Sequence, residues 1–159
     1  MRMRTLSLVV VLVAAVAGGA VRIQARAAYA SVLSGSIEQS LCSSAGSASG
    51  SASGDLAGTF TMSLDCSESA IAGGQWQITV KGAGPDGAEA ELGTLSGSID
   101  GGAVQADVAG GILTASDVKV SVTAGTGAYA SVTSGSGTLE LIADPKGSPQ
   151  FRGTLRLSF

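Results

Sequence analysis

The residues able to do chemistry are few, and their spacing narrows the options further. Glu89 and Glu91 stand two apart, so on a strand their carboxylates share one face, as a glycosidase-type acid/base pair would require. Their neighbours Gly87, Ala88 and Ala90 offer no apolar pocket to desolvate one carboxyl, so the pair reads as a solvated face beside a turn. Serine is abundant, but a nucleophilic serine needs a base and the chain has no histidine. Lys81, Lys119 and Lys146 are the bases left for a Ser–Lys dyad. Asp100, Asp107, Asp117 and Asp144 are dispersed, without calcium-loop spacing, and no His-ligated metal site can exist. No catalytic residue, metal or cofactor is therefore assigned. Trp76, the sole tryptophan, either lines a ligand cavity, offers a carbohydrate-stacking platform or is the largest core side chain of a small barrel. Phe60 and Tyr129 join Trp76 as cavity-lining candidates, with the same packing alternative.

The elements that must position these residues are strands. Phe60, Met62, Leu64 and Cys66 alternate with polar residues, as do Trp76, Ile78 and Val80, then Val118, Val120 and Val122, then Leu155, Leu157 and Phe159. Such period-2 patterning marks half-buried strands with one wet face, and no 3.6-residue pattern competes after residue 27. Eight strands are expected, near 33–42, 57–66, 74–82, 89–99, 103–109, 112–124, 128–142 and 150–159. Asp86-Gly87 and Asp100-Gly101-Gly102 carry hairpin chemistry, and breaks are expected at Gly110-Gly111, Gly125-Thr126-Gly127 and Pro145-Lys146-Gly147. The fold class is thus all-β, an up-and-down antiparallel barrel of about eight strands, with a β-sandwich as the alternative. The Ser/Ala/Gly tract at 43–54 reads by composition as a flexible loop. Ala28 to Ser36 matches Ala128 to Ser136 at eight of nine positions, placing both tyrosines at equivalent points and suggesting two strands with similar roles.

Residues 1–27 have the form of a secretory signal. Arg2 and Arg4 precede an apolar run from Leu6 to Val16, and small residues offer cleavage after Ala20, Ala27 or Ala30. An uncleaved anchor is the alternative, since the uncharged stretch approaches the length that spans a bilayer. The domain expected to remain, 28–159, carries 5 basic and 12 acidic residues, a net charge of −7. Nucleic acid and anionic membrane surfaces are excluded as electrostatic partners. Cys42 and Cys66 both fall in this part, so in an oxidising compartment they are expected to form one disulfide. Gly, Ser and Ala make up 72 of the 159 positions, which leaves few large side chains to fill a core.

From Gly125 to Leu139 the chain reads G-T-G-x-[YF], then five intervening residues, then G-x-G-x-[LF]. This stretch resembles a segment of the dirigent and allene-oxide-cyclase-like barrels. The resemblance implies an eight-stranded calycin-type barrel, glycines that shape a tight turn into a long strand, and a trimer. It carries over no catalytic residue. The alternating last strand with its terminal Phe159 also resembles the assembly signal of outer-membrane barrels, but aromatics at 4% cannot build interfacial girdles.

The function expected is an exported, non-catalytic binding or structural module, secreted or held in the cell envelope, with a small apolar ligand at the barrel mouth. A dirigent- or cyclase-type barrel enzyme steering a reactive intermediate, a packed envelope component and a small outer-membrane barrel are the alternatives.

Overall fold

The computed structural model describes residues 27–37, 46–67, 70–107, 112–144 and 150–159. Eight antiparallel strands follow one another in chain order: β1 Ala28–Ile37, β2 Gly46–Gly54, β3 Gly58–Ser67, β4 Ala70–Ala83, β5 Glu89–Asp107, β6 Ile112–Gly125, β7 Gly135–Asp144 and β8 Gln150–Ser158. Each pairs with the next, and β1 pairs with β8, so the sheet closes into a barrel with no free edge. A single 3₁₀ turn, Gly127–Tyr129, sits between β6 and β7.

Alternation in the sequence becomes inside and outside. Phe60, Met62 and Leu64 of β3, Trp76, Ile78 and Val80 of β4, and Val118, Val120 and Val122 of β6 are all buried in one continuous core. An eight-stranded barrel encloses a space that side chains just fill, and here every strand contributes to filling it.

Glycine makes that filling work. On adjacent strands the register runs Phe151, Gly35, Gly50, Phe60, from β8 through β1 and β2 to β3. The two phenyl rings approach over the glycine pair, with centroids 6.3 Å apart. A Cβ on Gly35 would lie 2.6 Å from the Gly50 Cα, so β1 and β2 come together only because neither residue has a side chain. Trp76 covers Gly97 of β5 in the same manner. Bulky rings thus compensate strands made of Gly, Ala and Ser.

At the barrel end where β1 begins, the β2–β3 connection folds inward. Leu56 is buried there, and Ser31 fixes it: the Ser31 hydroxyl donates to the Leu56 carbonyl at 3.3 Å and accepts from the Leu56 N–H at 3.2 Å.

Several expectations need correction. Residues 46–54 of the tract expected to be a loop are strand β2, and 43–45 lie outside the described residues. Composition misleads here because the strand's stability comes from its two neighbours, with Ala48 and Ala52 facing inward. Asp100-Gly101-Gly102 is not a hairpin turn. β5 runs straight through it as one strand, with register shifts against β6 at Ile99/Gly101 and Gly101/Ala103. Gly101 does adopt a positive φ of 127°, but a bulge needs that as much as a turn does. The strand expected from 128 begins at Gly135, and the second copy of the Ala28–Ser36 pattern starts as the 3₁₀ turn. The turn at Asp86-Gly87 is present, with Gly87 at φ 81°. Gly110-Gly111 and Pro145-Lys146-Gly147 lie outside the described residues, as do residues 1–26 of the expected signal segment 1–27.

Candidate functional site

The sequence candidates for acid/base chemistry stand apart from one another. Glu89 and Glu91 open β5 on an exposed face, and Glu89 Oε1 lies 3.2 Å from Lys81 Nζ across the hairpin. That pair is exposed and solvent-screened. Ser116-Asp117-Val118-Lys119 has the S-x-x-K spacing that nucleophilic serines use in β-lactamase-type sites. That spacing aligns two side chains on a helix; here it falls on β6, across the irregularity between Ala115 and Val118, and no hydrogen bond joins Ser116 to Lys119. Among the described residues no group of three His, Cys, Asp or Glu side chains could hold a metal.

Phe60 and Trp76 both belong to the interior core, on adjacent strands. The Trp76 indole N–H is buried and meets no hydrogen-bond acceptor of the protein. Tyr129 stands elsewhere, at the barrel end. Tyr29 stacks on the Phe159 ring at 4.5 Å between centroids, and Tyr129 meets the same ring edge-on at 6.4 Å. The two tyrosines of the internal sequence echo therefore converge on one phenylalanine, although only one of them lies in a strand.

Burial, and after it the Tyr29 phenol, push the Tyr129 hydroxyl above its ordinary value. The neutral phenol is thus favoured in the folded protein more than in the unfolded chain. That contribution to stability is complete below the ordinary tyrosine range and is lost as pH rises through the folded value. Denaturant midpoints measured from pH 8 to 11.5 are expected to fall above about pH 10, and Tyr129→Phe is expected to flatten that fall.

The Gly125-Thr126-Gly127 motif holds this end in place residue by residue. Thr126 donates its N–H to the Thr94 carbonyl at 2.9 Å, and its hydroxyl accepts the Thr94 N–H at 3.0 Å. Gly127 takes a φ of 59°, and a Cβ there would collide with the Leu92 carbonyl of β5. The motif staples the β6–β7 connection onto β5.

The outer wall is the feature that sequence reading did not assemble. Barrel register aligns its hydroxyls and amides into rows. One row runs Ser34, Ser51, Thr59, Thr79, Thr94 from β1 to β5, and another Ser36, Ser49, Thr61, Gln77, Ser96. A third runs Ser47, Ser63, Gln75, Ser98, Ser121, Ser136, Ser158 from β2 to β8. None of these positions carries a charge. The second and third rows border a groove of about 590 Å³ over β3 to β6. At its rim the Asp100 carboxylate accepts hydrogen bonds from Ser98 at 2.7 Å and Ser121 at 2.6 Å. A second groove, of about 540 Å³, lies near the Lys81–Glu89 pair. The signal was present in the sequence as the polar half of each alternating strand; only the register turns it into rows.

Searched against protein-family models, curated proteins and solved structures, the chain matches none of them.

Proposed function

We propose that this protein is an exported, non-catalytic barrel that works from its outer wall as a structural or binding module. The observation that carries the reading is the filled interior. Apolar side chains from all eight strands occupy the space where a carrier would hold a small apolar ligand or a barrel enzyme its substrate. This favours the packed module over the ligand carrier and over the dirigent- or cyclase-type enzyme. The closed up-and-down architecture supports the resemblance to the dirigent and allene-oxide-cyclase-like barrels at the level of fold alone, and fold does not transmit activity. The polarity of the wall supports a water-facing barrel: outer-membrane barrels are apolar outside and polar within, and this one is the reverse.

Export and the Cys42–Cys66 disulfide belong to the same proposal. Cys66 lies near the end of β3, at the barrel end where the chain leaves Ile37 and returns at Gly46. Cys42 falls between those two points, outside the described residues. Among the described residues there is no free cysteine. A bridge closing that loop stabilises by about 3.5 kcal/mol in the chain-entropy treatment. Expressed with its leader in a bacterial host, the protein is expected outside the cytoplasm without detergent. Its denatured mass should lack the leader and two hydrogens. Recovery only in detergent would overturn the water-facing reading, and a mass retaining both thiol hydrogens would overturn the bridge. Reduction, or Cys66→Ala, is expected to lower the unfolding free energy by that amount, read from urea denaturation.

A further inference from the structure

Resting on the reading that the outer wall is the working surface, we infer that the groove over β3 to β6 binds a neutral polyhydroxylated chain, an oligosaccharide. Its outward side chains are Gln75, Gln77, Thr61, Ser63, Ser96 and Ser98, with Thr123 at one side. Every one of them can both donate and accept a hydrogen bond, and none is charged. Such a lining matches a ligand whose surface is itself made of hydroxyls. It offers no cation for phosphate or carboxylate.

Two further features fit this chemistry. Among the described residues, the side chains of Thr61, Ser63, Gln75, Gln77 and Ser96 make no hydrogen bond within the protein, so a ligand displaces only solvent from them. Asp100 shows what the rim does to a hydroxyl partner: its two carboxylate oxygens draw the Ser98 and Ser121 hydroxyls to it. β5 shifts register against β6 at Ser96/Gly97 and again at Ile99/Gly101, and bulges of this sort re-aim side chains beside binding surfaces. The two amides stand on β4 between hydroxyls of β3 and β5, so a chain lying across the strands meets a hydrogen-bonding group at each one.

The test is a titration of the ¹³C,¹⁵N-labelled protein with neutral β-1,4-linked hexasaccharides of glucose, N-acetylglucosamine and xylose. Binding in the groove is expected to shift the backbone amides of residues 61–63, 75–77, 96–98 and 121–123. Gln75→Ala/Gln77→Ala, both exposed, is expected to weaken binding roughly tenfold or more and to leave the Trp76 emission unchanged. The inference is overturned if none of the three sugars shifts those amides, or if the double variant binds as well as the parent. Shifts confined to the interior methyls of Leu33 and Leu141 would overturn both this inference and the filled-barrel reading. Absence of all shifts would overturn the groove alone.

Discussion

Replacing Phe60 with alanine is expected to lower the unfolding free energy by about 3–5 kcal/mol, which is a large share of the stability of any domain this size. The reason is local. Phe60 projects over Gly50 toward Phe151, and the glycine pair on β1 and β2 has no side chain to collapse into the space left behind. Phe151→Ala should cost a similar amount by the same mechanism. The double variant should cost less than the sum, because the second deletion enlarges a cavity already made and removes no further ring contact. Urea denaturation followed by Trp76 emission measures all three. Additive losses would mean that the rings do not share one space, and a loss near 1 kcal/mol would mean that the barrel relaxes around the gap.

Gly97→Ala is expected to be nearly as damaging although it adds one methyl. The new Cβ would strike the Ser121 carbonyl of β6 and lie 2.8 Å from the Trp76 Nε1. Neither neighbour can yield cheaply, since one is backbone in a paired strand and the other a ring enclosed by the core. A cost of about 3 kcal/mol or more follows. Trp76→Phe supplies the contrast. It keeps a ring over Gly97 and removes a buried N–H that has no acceptor, so part of the packing loss is offset. If Gly97→Ala unfolds at the parent's midpoint, β5 and β6 are farther apart than this barrel places them.

The fold class was legible where side chains are large enough to show a period. Phe60-x-Met62-x-Leu64 and Trp76-x-Ile78-x-Val80 announce strands and name their buried face, and the structure shows both. The expected number of strands also agrees, but partly through two errors that offset each other. Strand β2 is built of Gly, Ala and Ser, whose alternation carries almost no hydrophobic contrast; its strand conformation is imposed by Leu33, Phe60 and the closure of the barrel. Strand β5 was divided in two because Asp-Gly-Gly offers the same positive φ to a hairpin and to a bulge, and only the partner strand decides which is made. The echo between Ala28–Ser36 and Ala128–Ser136 shows the same limit from the other side. Nearly identical residues form a strand in one place and a turn in the other, since Gly127 and Thr126 are tied down to β5.

The site was less legible than the fold. Trp76, Phe60 and Tyr129 attract notice because aromatic residues are scarce, yet two of them fill the core and the third closes one end with Tyr29 and Phe159. The serines, threonines and glutamines of the outer wall look like the bland half of each strand. Their alignment across strands depends on shear, which sequence does not reveal one strand at a time.

Native mass spectrometry of the protein, purified without detergent, tests the filled interior most directly. The spectrum is expected to show the bare polypeptide mass at every oligomeric state present, including the trimer that the family resemblance implies if that forms. A small-molecule adduct that persists on the folded protein, vanishes on denaturation and shifts the interior methyls of Leu33 and Leu141 would contradict it, because such a molecule would occupy space inside the barrel.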